Sequence, residues 1–80
     1  MTVTIKYFGL IADITRLKEE VFSSDAELLN VEDLINNLSH KYSGLSKASY
    51  IIAVNKSIAK TNLKLNNNDV LALLPPFAGG

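Results

Sequence analysis

An α+β roll, with a mixed sheet of four to five strands covered by one main helix, is the fold class predicted by three features of this 80-residue sequence. Strand-like alternation opens the chain at TVTIKYF. One long stretch, NVEDLINNLSHKYSGL, carries apolar residues at helical spacing. Short β-branched runs fill the second half, with no second helix near the C-terminus. That last feature separates the order from a ferredoxin-like split fold, which needs a helix there.

In Thr2–Phe8, Val3, Ile5 and Tyr7 share one face and Thr2, Thr4 and Lys6 the other, as in a half-buried strand. EEVFS, Glu19–Ser23, is a second, shorter strand. GLIADITRLK between them is too long for a tight hairpin and has room for a helical turn. In the helix, Val31, Leu34, Ile35, Leu38, Tyr42 and Leu45 recur on one side. Asn30 suits the N-cap, Glu32 and Asp33 the first turn, and His40 and Lys41 the last. Gly44 is placed as the C′ residue that ends it. Tyr50–Asn55 reads as a buried strand, and SIAKTNLKL as a short edge strand with a turn. NNND, Asn66–Asp69, reads as a tight turn. Val70–Leu74 is the last strand, with Leu71 and Leu73 beneath the helix, and Pro75 ends it because proline cannot donate to a ladder. The order β-β-α-β-(β)-β suits a ubiquitin-like β-grasp roll for residues 1–74, with 75–80 as an extended tail.

Composition removes several functions. There is no cysteine, hence no disulfide framework, thiolate zinc site or cysteine-held cluster. Eight basic residues balance eight acidic ones and are scattered, against a nucleic-acid footprint. No apolar run approaches a membrane span and no signal peptide opens the chain, so no membrane partner is expected and the expected location is cytoplasmic. His40, the one histidine, lies on the polar side of the helix as a solvated residue. Glu19 and Glu20 are strand neighbours and point to opposite faces, as solvated or paired charges and not an acid/base couple. No metal-ligand spacing or glycine-rich phosphate loop is present.

What remains is LLPPFAGG. Gly79 and Gly80 lack Cβ atoms and can thread a channel too narrow for other residues. Pro75 and Pro76 stiffen the exit from the last strand. The six residues Pro75–Gly80 reach at most ~20 Å, a length suited to delivery into another protein's active site. The group delivered is the α-carboxylate of Gly80. As a carboxylate it is a poor acyl donor. Coupled to AMP it becomes an acyl adenylate open to a sulfur or nitrogen nucleophile. Attack by a persulfide, then reductive cleavage, would leave a thiocarboxylate, ionised at neutral pH and nucleophilic as thiolates are.

With VTIKYFG, NVEDL, IIAVN, LNNNDVLALLPP and FAGG taken together, the sequence resembles the small subunits of molybdopterin synthase, sulfur carriers of the ThiS/MoaD-like β-grasp family. The resemblance spans essentially the whole chain, and LLPPFAGG is its most specific part. It implies that Gly80 is adenylated and thiocarboxylated by a ubiquitin-activating-like adenylyltransferase, which uses ATP, with a desulfurase or rhodanese as sulfur donor. It implies no cofactor bound by this chain and no enzyme activity of its own. Gly79 and Gly80, reached through Ala78, Phe77, Pro76 and Pro75, would enter the large subunit's active site in a heterotetramer, where sulfur passes to the cyclic pterin precursor. Two departures concern loop geometry. The family's usual Arg-Glu pair and glycine between the first two strands give way to ADITRLKEE, which leaves the role of Asp13–Lys18 open. The usual Asp-Gly-Asp-like turn is Asn67-Asn68-Asp69.

Other readings use the same tail. A thiamine-pathway sulfur carrier shares the chemistry with a different acceptor, although it usually lacks the Pro-Pro exit. A protein modifier would join Gly80 to target lysines. A plain interaction domain would make the Gly-Gly accidental. Alternation in the last strand puts Val70, Ala72 and Leu74 opposite the core. Leu74, with Phe77 beyond it and Ile58 nearby, is therefore the expected partner-binding patch.

Overall fold

The computed structural model describes residues 1–25 and 29–76. The elements are β1 (Thr2–Tyr7), α1 (Leu10–Thr15), β2 (Glu19–Ser23), β3 (Leu29–Asn30), α2 (Val31–Lys41), a 3₁₀ turn (Leu45–Lys47), β4 (Ile51–Val54), β5 (Ser57–Ile58), β6 (Lys64–Leu65) and β7 (Val70–Leu74). Five strands make one sheet in the order β2-β1-β7-β4-β5, and β3 pairs with β6 in a separate ribbon. β1 and β7 run parallel at the centre, while the other pairs are antiparallel. A parallel pair needs a crossover, and α2 lies within it. This is the β-grasp roll expected from the sequence.

Alternation along the central strands settles which face is covered. Val3, Ile5 and Tyr7 of β1 and Leu71 and Leu73 of β7 are buried, packed with Val31, Leu34 and Leu38 of α2. Ile11, Leu29, Leu45, Val54 and Leu65 complete the same cluster. The entry to α2 is built from its first residues. The Asn30 side chain accepts from the Asp33 N–H at 2.8 Å, and the Asp33 carboxylate accepts from the Asn30 N–H at 3.1 Å. This reciprocal capping box satisfies two donors that the helix itself leaves open.

Several boundaries differ from expectation. β1 ends at Tyr7, and Phe8 lies outside it and is exposed. α2 ends at Lys41, since Tyr42 turns to an extended conformation. Gly44 has a φ of −78° and starts the 3₁₀ turn, so it is not the left-handed C′ residue. Its missing side chain serves a close approach instead: a Cβ there would lie 3.3 Å from Ile14 Cγ2. β4 is shorter than Tyr50–Asn55, and only Ala53 and Val54 of its four residues are buried. The segment between β1 and β2 holds a six-residue helix, α1.

Candidate functional site: an open sheet face and the root of the tail

The face of the sheet turned away from α2 has no covering element among the described residues. Its composition follows from register. Leu74 pairs with Ile51, and Ala72 with Ala53. Ala53 in turn pairs with Ile58. Lys6 stands beside Ala72, and Thr4 beside Val70. Directly opposed residues share a face, so Ile58, Ala53, Ala72, Val70, Leu74 and Lys6 lie on one surface.

The paired alanines, Ala53 and Ala72, hollow out its centre. The hollow has a volume of about 480 Å³, is lined chiefly by apolar surface, and is bounded by Phe8 and Leu74 at one end and by Asn55, Lys56 and Val70 at the other. Ile58, on the edge strand, is 73% exposed, and Phe8 is 43% exposed. Ile58 thus leaves apolar surface exposed at the β5 edge of this face, and Phe8 does so at the rim of the hollow.

The lower rim is built by a tight turn. Asn55 and Lys56 have φ of 50° and 72°, the two left-handed residues of a type I′ hairpin linking β4 to β5. The Asn55 side chain locks this turn to β7, accepting from the Val70 N–H at 3.0 Å and donating to Asp69 Oδ1 at 2.9 Å. The turn before β7 is closed by Asp69, whose carboxylate accepts from the Asn66 N–H at 2.7 Å. Asn68 takes the left-handed position there, with φ of 70°, a conformation that asparagine tolerates better than most residues.

β7 delivers the chain to the upper rim. It is hydrogen-bonded on both sides, to β1 and β4, and it ends at Leu74, followed directly by Pro75 and Pro76 outside any strand. The Phe8 N–H donates to the Leu73 carbonyl at 3.2 Å. Pro75 then lies against Gly9.

Of the residues the sequence singled out, Leu74 and Ile58 share the open face. Leu74 is half-buried beside Ile51, and so partly covers the sheet as well. Pro75 and Pro76 are exposed at its upper end. Phe77, Ala78, Gly79 and Gly80 lie outside the described residues. Phe8 and Gly9 were missed. The alternation of β1 carries through Phe8, and Gly9 opens the segment that follows it. The available signal was a lone glycine directly after a strand, which marks a bend or a close backbone approach.

The strongest electrostatic cluster lies elsewhere, on the helix side. Glu20 accepts from Tyr7 Oη at 2.6 Å, from Tyr42 Oη at 2.5 Å and from Lys41 Nζ at 2.6 Å. The Tyr7 and Tyr42 rings meet edge to face at 6.1 Å. Burial pushes the Tyr7 hydroxyl well above its ordinary value, and its bond to the Glu20 carboxylate adds to this. Burial would raise the Glu20 carboxyl, but the three donors and the Lys41 charge outweigh it and hold the group below its ordinary 4.5. The cluster ties β1, β2 and the end of α2 together and leaves no free base. His40 is exposed. Among the described residues no group of three His, Cys, Asp or Glu could hold a metal ion, and no helix is long and apolar enough to cross a membrane. On the open face, the central strand β7 leads directly to Pro75.

The ThiS family model matches residues 5–80, nearly the whole chain. The chain belongs to the ThiS family. Solved structures agree on the fold. A Pyrococcus furiosus protein given as subunit 1 of a molybdopterin converting factor is 23% identical, with a TM-score of 0.87 over 96% of this chain and 99% of that one. SAMP1 of Haloferax volcanii is 21% identical, with a TM-score of 0.85 over 100% of both chains. In the complex of subunits 1 and 2 of the Helicobacter pylori molybdopterin-converting factor, the matching chain is 25% identical with a TM-score of 0.71, again over 100% of both.

Proposed function

We propose that this ThiS-family chain is a sulfur carrier for molybdopterin formation, with Gly80 as the reacting residue and Gly79, Ala78, Phe77, Pro76 and Pro75 as the segment that delivers it. The observation carrying this reading is the geometry at the end of β7. A strand held on both sides runs beside an apolar hollow and hands the chain directly to Pro75. Residues 1–74 act as the rigid body and 75–80 as the delivered tail.

In this reading the Gly80 carboxylate attacks the α-phosphorus of ATP on an activating enzyme, releasing pyrophosphate. A persulfide sulfur then displaces AMP from the acyl adenylate. A thiol reductant supplies two electrons to cleave the resulting acyl disulfide, leaving –COS⁻ on Gly80. ATP is bound by the activating enzyme, and this chain holds no cofactor. The chain has no turnover of its own and works as the small subunit of a transferase. The large subunit is the expected partner at the open face, through Phe8, Ile58, Leu74 and Phe77, as the Helicobacter pylori protein pairs a subunit 1 with a subunit 2.

The likeness to Haloferax volcanii small archaeal modifier protein 1 supports a second reading, in which the activated Gly80 carbonyl is attacked by a lysine amine. One experiment separates the two. The chain is incubated with activating enzyme, ATP, a persulfide donor and a thiol reductant, and its intact mass is followed before and after adding large subunit and cyclic pterin precursor. A carrier gains the mass of one oxygen-to-sulfur exchange and loses it on transfer. A modifier appears joined to other proteins by amide bonds. Full transfer by a chain extended past Gly80 would overturn the carrier reading.

A further inference from the structure

We propose that Gly9 is a positioning residue that sets the direction in which the tail leaves the sheet; the proposal rests on the sulfur-carrier reading. Gly9 has φ 56° and ψ −133°, a conformation essentially reserved for glycine. A Cβ built there would lie 2.6 Å from Pro75 Cγ, 3.7 Å from its Cδ and 3.8 Å from its Cβ. The proline ring thus occupies the space that a side chain at Gly9 would need.

Gly9 is held in place from both sides. On one side of Gly9, the Phe8 N–H bonds to the Leu73 carbonyl at 3.2 Å, extending the β1–β7 contact past Tyr7. On the other side, the Gly9 carbonyl accepts from the Ala12 and Asp13 N–H groups at 3.1 and 3.4 Å, which fastens it to the start of α1. Pro75 has its own φ locked by its ring, and Pro76 follows it, so the chain between them is stiff. The seat of one ring on one glycine therefore determines where the following residues head. Gly9 lies at the upper end of the open face, next to Phe8, and it takes no part in the hollow itself.

The test is a double-mutant cycle of Gly9→Ala and Pro75→Ala in the full chain, prepared with a Gly80 thiocarboxylate. Single-turnover sulfur transfer to the large subunit and calorimetric affinity for that subunit are measured for each. Gly9→Ala is expected to slow transfer by roughly tenfold to a hundredfold, as small misplacements of a reacting group do, with affinity changed by less than about twofold. Pro75→Ala removes the ring and slows transfer less; it relieves the ring contact but not the backbone strain of an alanine at position 9, so the double variant is slower than Pro75→Ala alone yet clearly faster than the product of the two single effects. Wild-type transfer by Gly9→Ala, or effects that multiply independently, would overturn the proposal. Should Gly9→Ala not fold, Pro75→Ala decides: unchanged transfer sinks the idea. Should the wild-type thiocarboxylate give no sulfur to the large subunit, the carrier reading falls separately. Nuclear Overhauser contacts between Gly9 and Pro75, and the orientation of Pro76 in Gly9→Ala from residual dipolar couplings, then decide the positioning role alone; an unaltered Pro76 would refute it.

Discussion

Replacing Glu20 by alanine should be among the most damaging single changes to this fold, although Glu20 has a salt bridge of an ordinary surface kind. The bridge to Lys41 is weak by itself, because the Lys41 side chain is 59% exposed and such pairs give ~0–1 kcal/mol. The larger effect comes from Tyr7. That residue is only 2% exposed, and its hydroxyl donates to Glu20. Loss of the acceptor strands a buried donor at about 1–3 kcal/mol, and the charge-assisted bond from Tyr42 adds about 1 kcal/mol more. Glu20→Ala should therefore cost ~2–4 kcal/mol, while Lys41→Ala costs less than ~1 kcal/mol. Acid should imitate the mutation. The folded carboxyl sits below 4.5, so ionised Glu20 favours the folded state. Its contribution is fully present above pH 4.5 and is lost as the pH falls through the folded value. Urea unfolding at pH 7 and at stepwise lower pH measures both effects, with Glu20→Gln as the variant whose acid dependence should be blunted. Equal destabilisation by Glu20→Ala and Lys41→Ala, or an unchanged acid profile in Glu20→Gln, would refute the reasoning.

Asn30→Ala should lower stability by ~1 kcal/mol, the usual worth of an N-cap, read from urea midpoints; no change would mean that the capping box is idle. Gly79→Ala should carry sulfur far more slowly than wild type with an unfolding temperature that barely moves, checked by mass spectrometry and calorimetry. Ile58→Lys should weaken large-subunit binding by ~1–3 kcal/mol in calorimetric titration, with little effect on stability because the side chain is 73% exposed. Leu74→Lys should do the same with an added stability loss, since Leu74 also packs beside Ile51.

How much could be read from the sequence depended on how local each interaction is. The start of α2 was legible because Asn30 and Asp33 cap it within one turn. Its end was not. Gly44 looked like a left-handed stop, but Tyr42 leaves the helix earlier, in an extended conformation with its hydroxyl on Glu20 of another element. The β3–β6 ribbon has two residues per strand, too few for alternation to register. Period alone places adjacent Glu19 and Glu20 on opposite faces, and the register agrees, with Glu20 opposite Ile5 and Glu19 opposite Lys6. That one of them would gather Tyr7, Lys41 and Tyr42 depended on the packing of β1 and α2. The hollow was half legible: alternation put Ala72 on the open face, but its partner Ala53 required the β4–β7 register. Gly9 against Pro75 was the least accessible, since it joins the two ends of the chain through the parallel pairing of β1 and β7.

The two faces of the sheet answer different demands. On the helix side, large branched residues and a fully bonded carboxylate fix one arrangement. On the other, the middle of the sheet carries Ala53 and Ala72, although β-branched or aromatic residues would fit a pleated surface better. If the open face had only to shield the sheet from water, larger side chains at these positions would cover more of it. Alanines instead leave a hollow walled by Phe8, Leu74 and Val70, at the side of the strand that leads into the tail. A carrier must hold its reacting end steady relative to a partner while gaining nothing from gripping that end itself. A face that is apolar but unfilled, next to a tail root seated on a glycine, meets both needs. In the carrier reading proposed above, the partner supplies the missing volume, and the strand between hollow and tail root converts docking into placement of the tail.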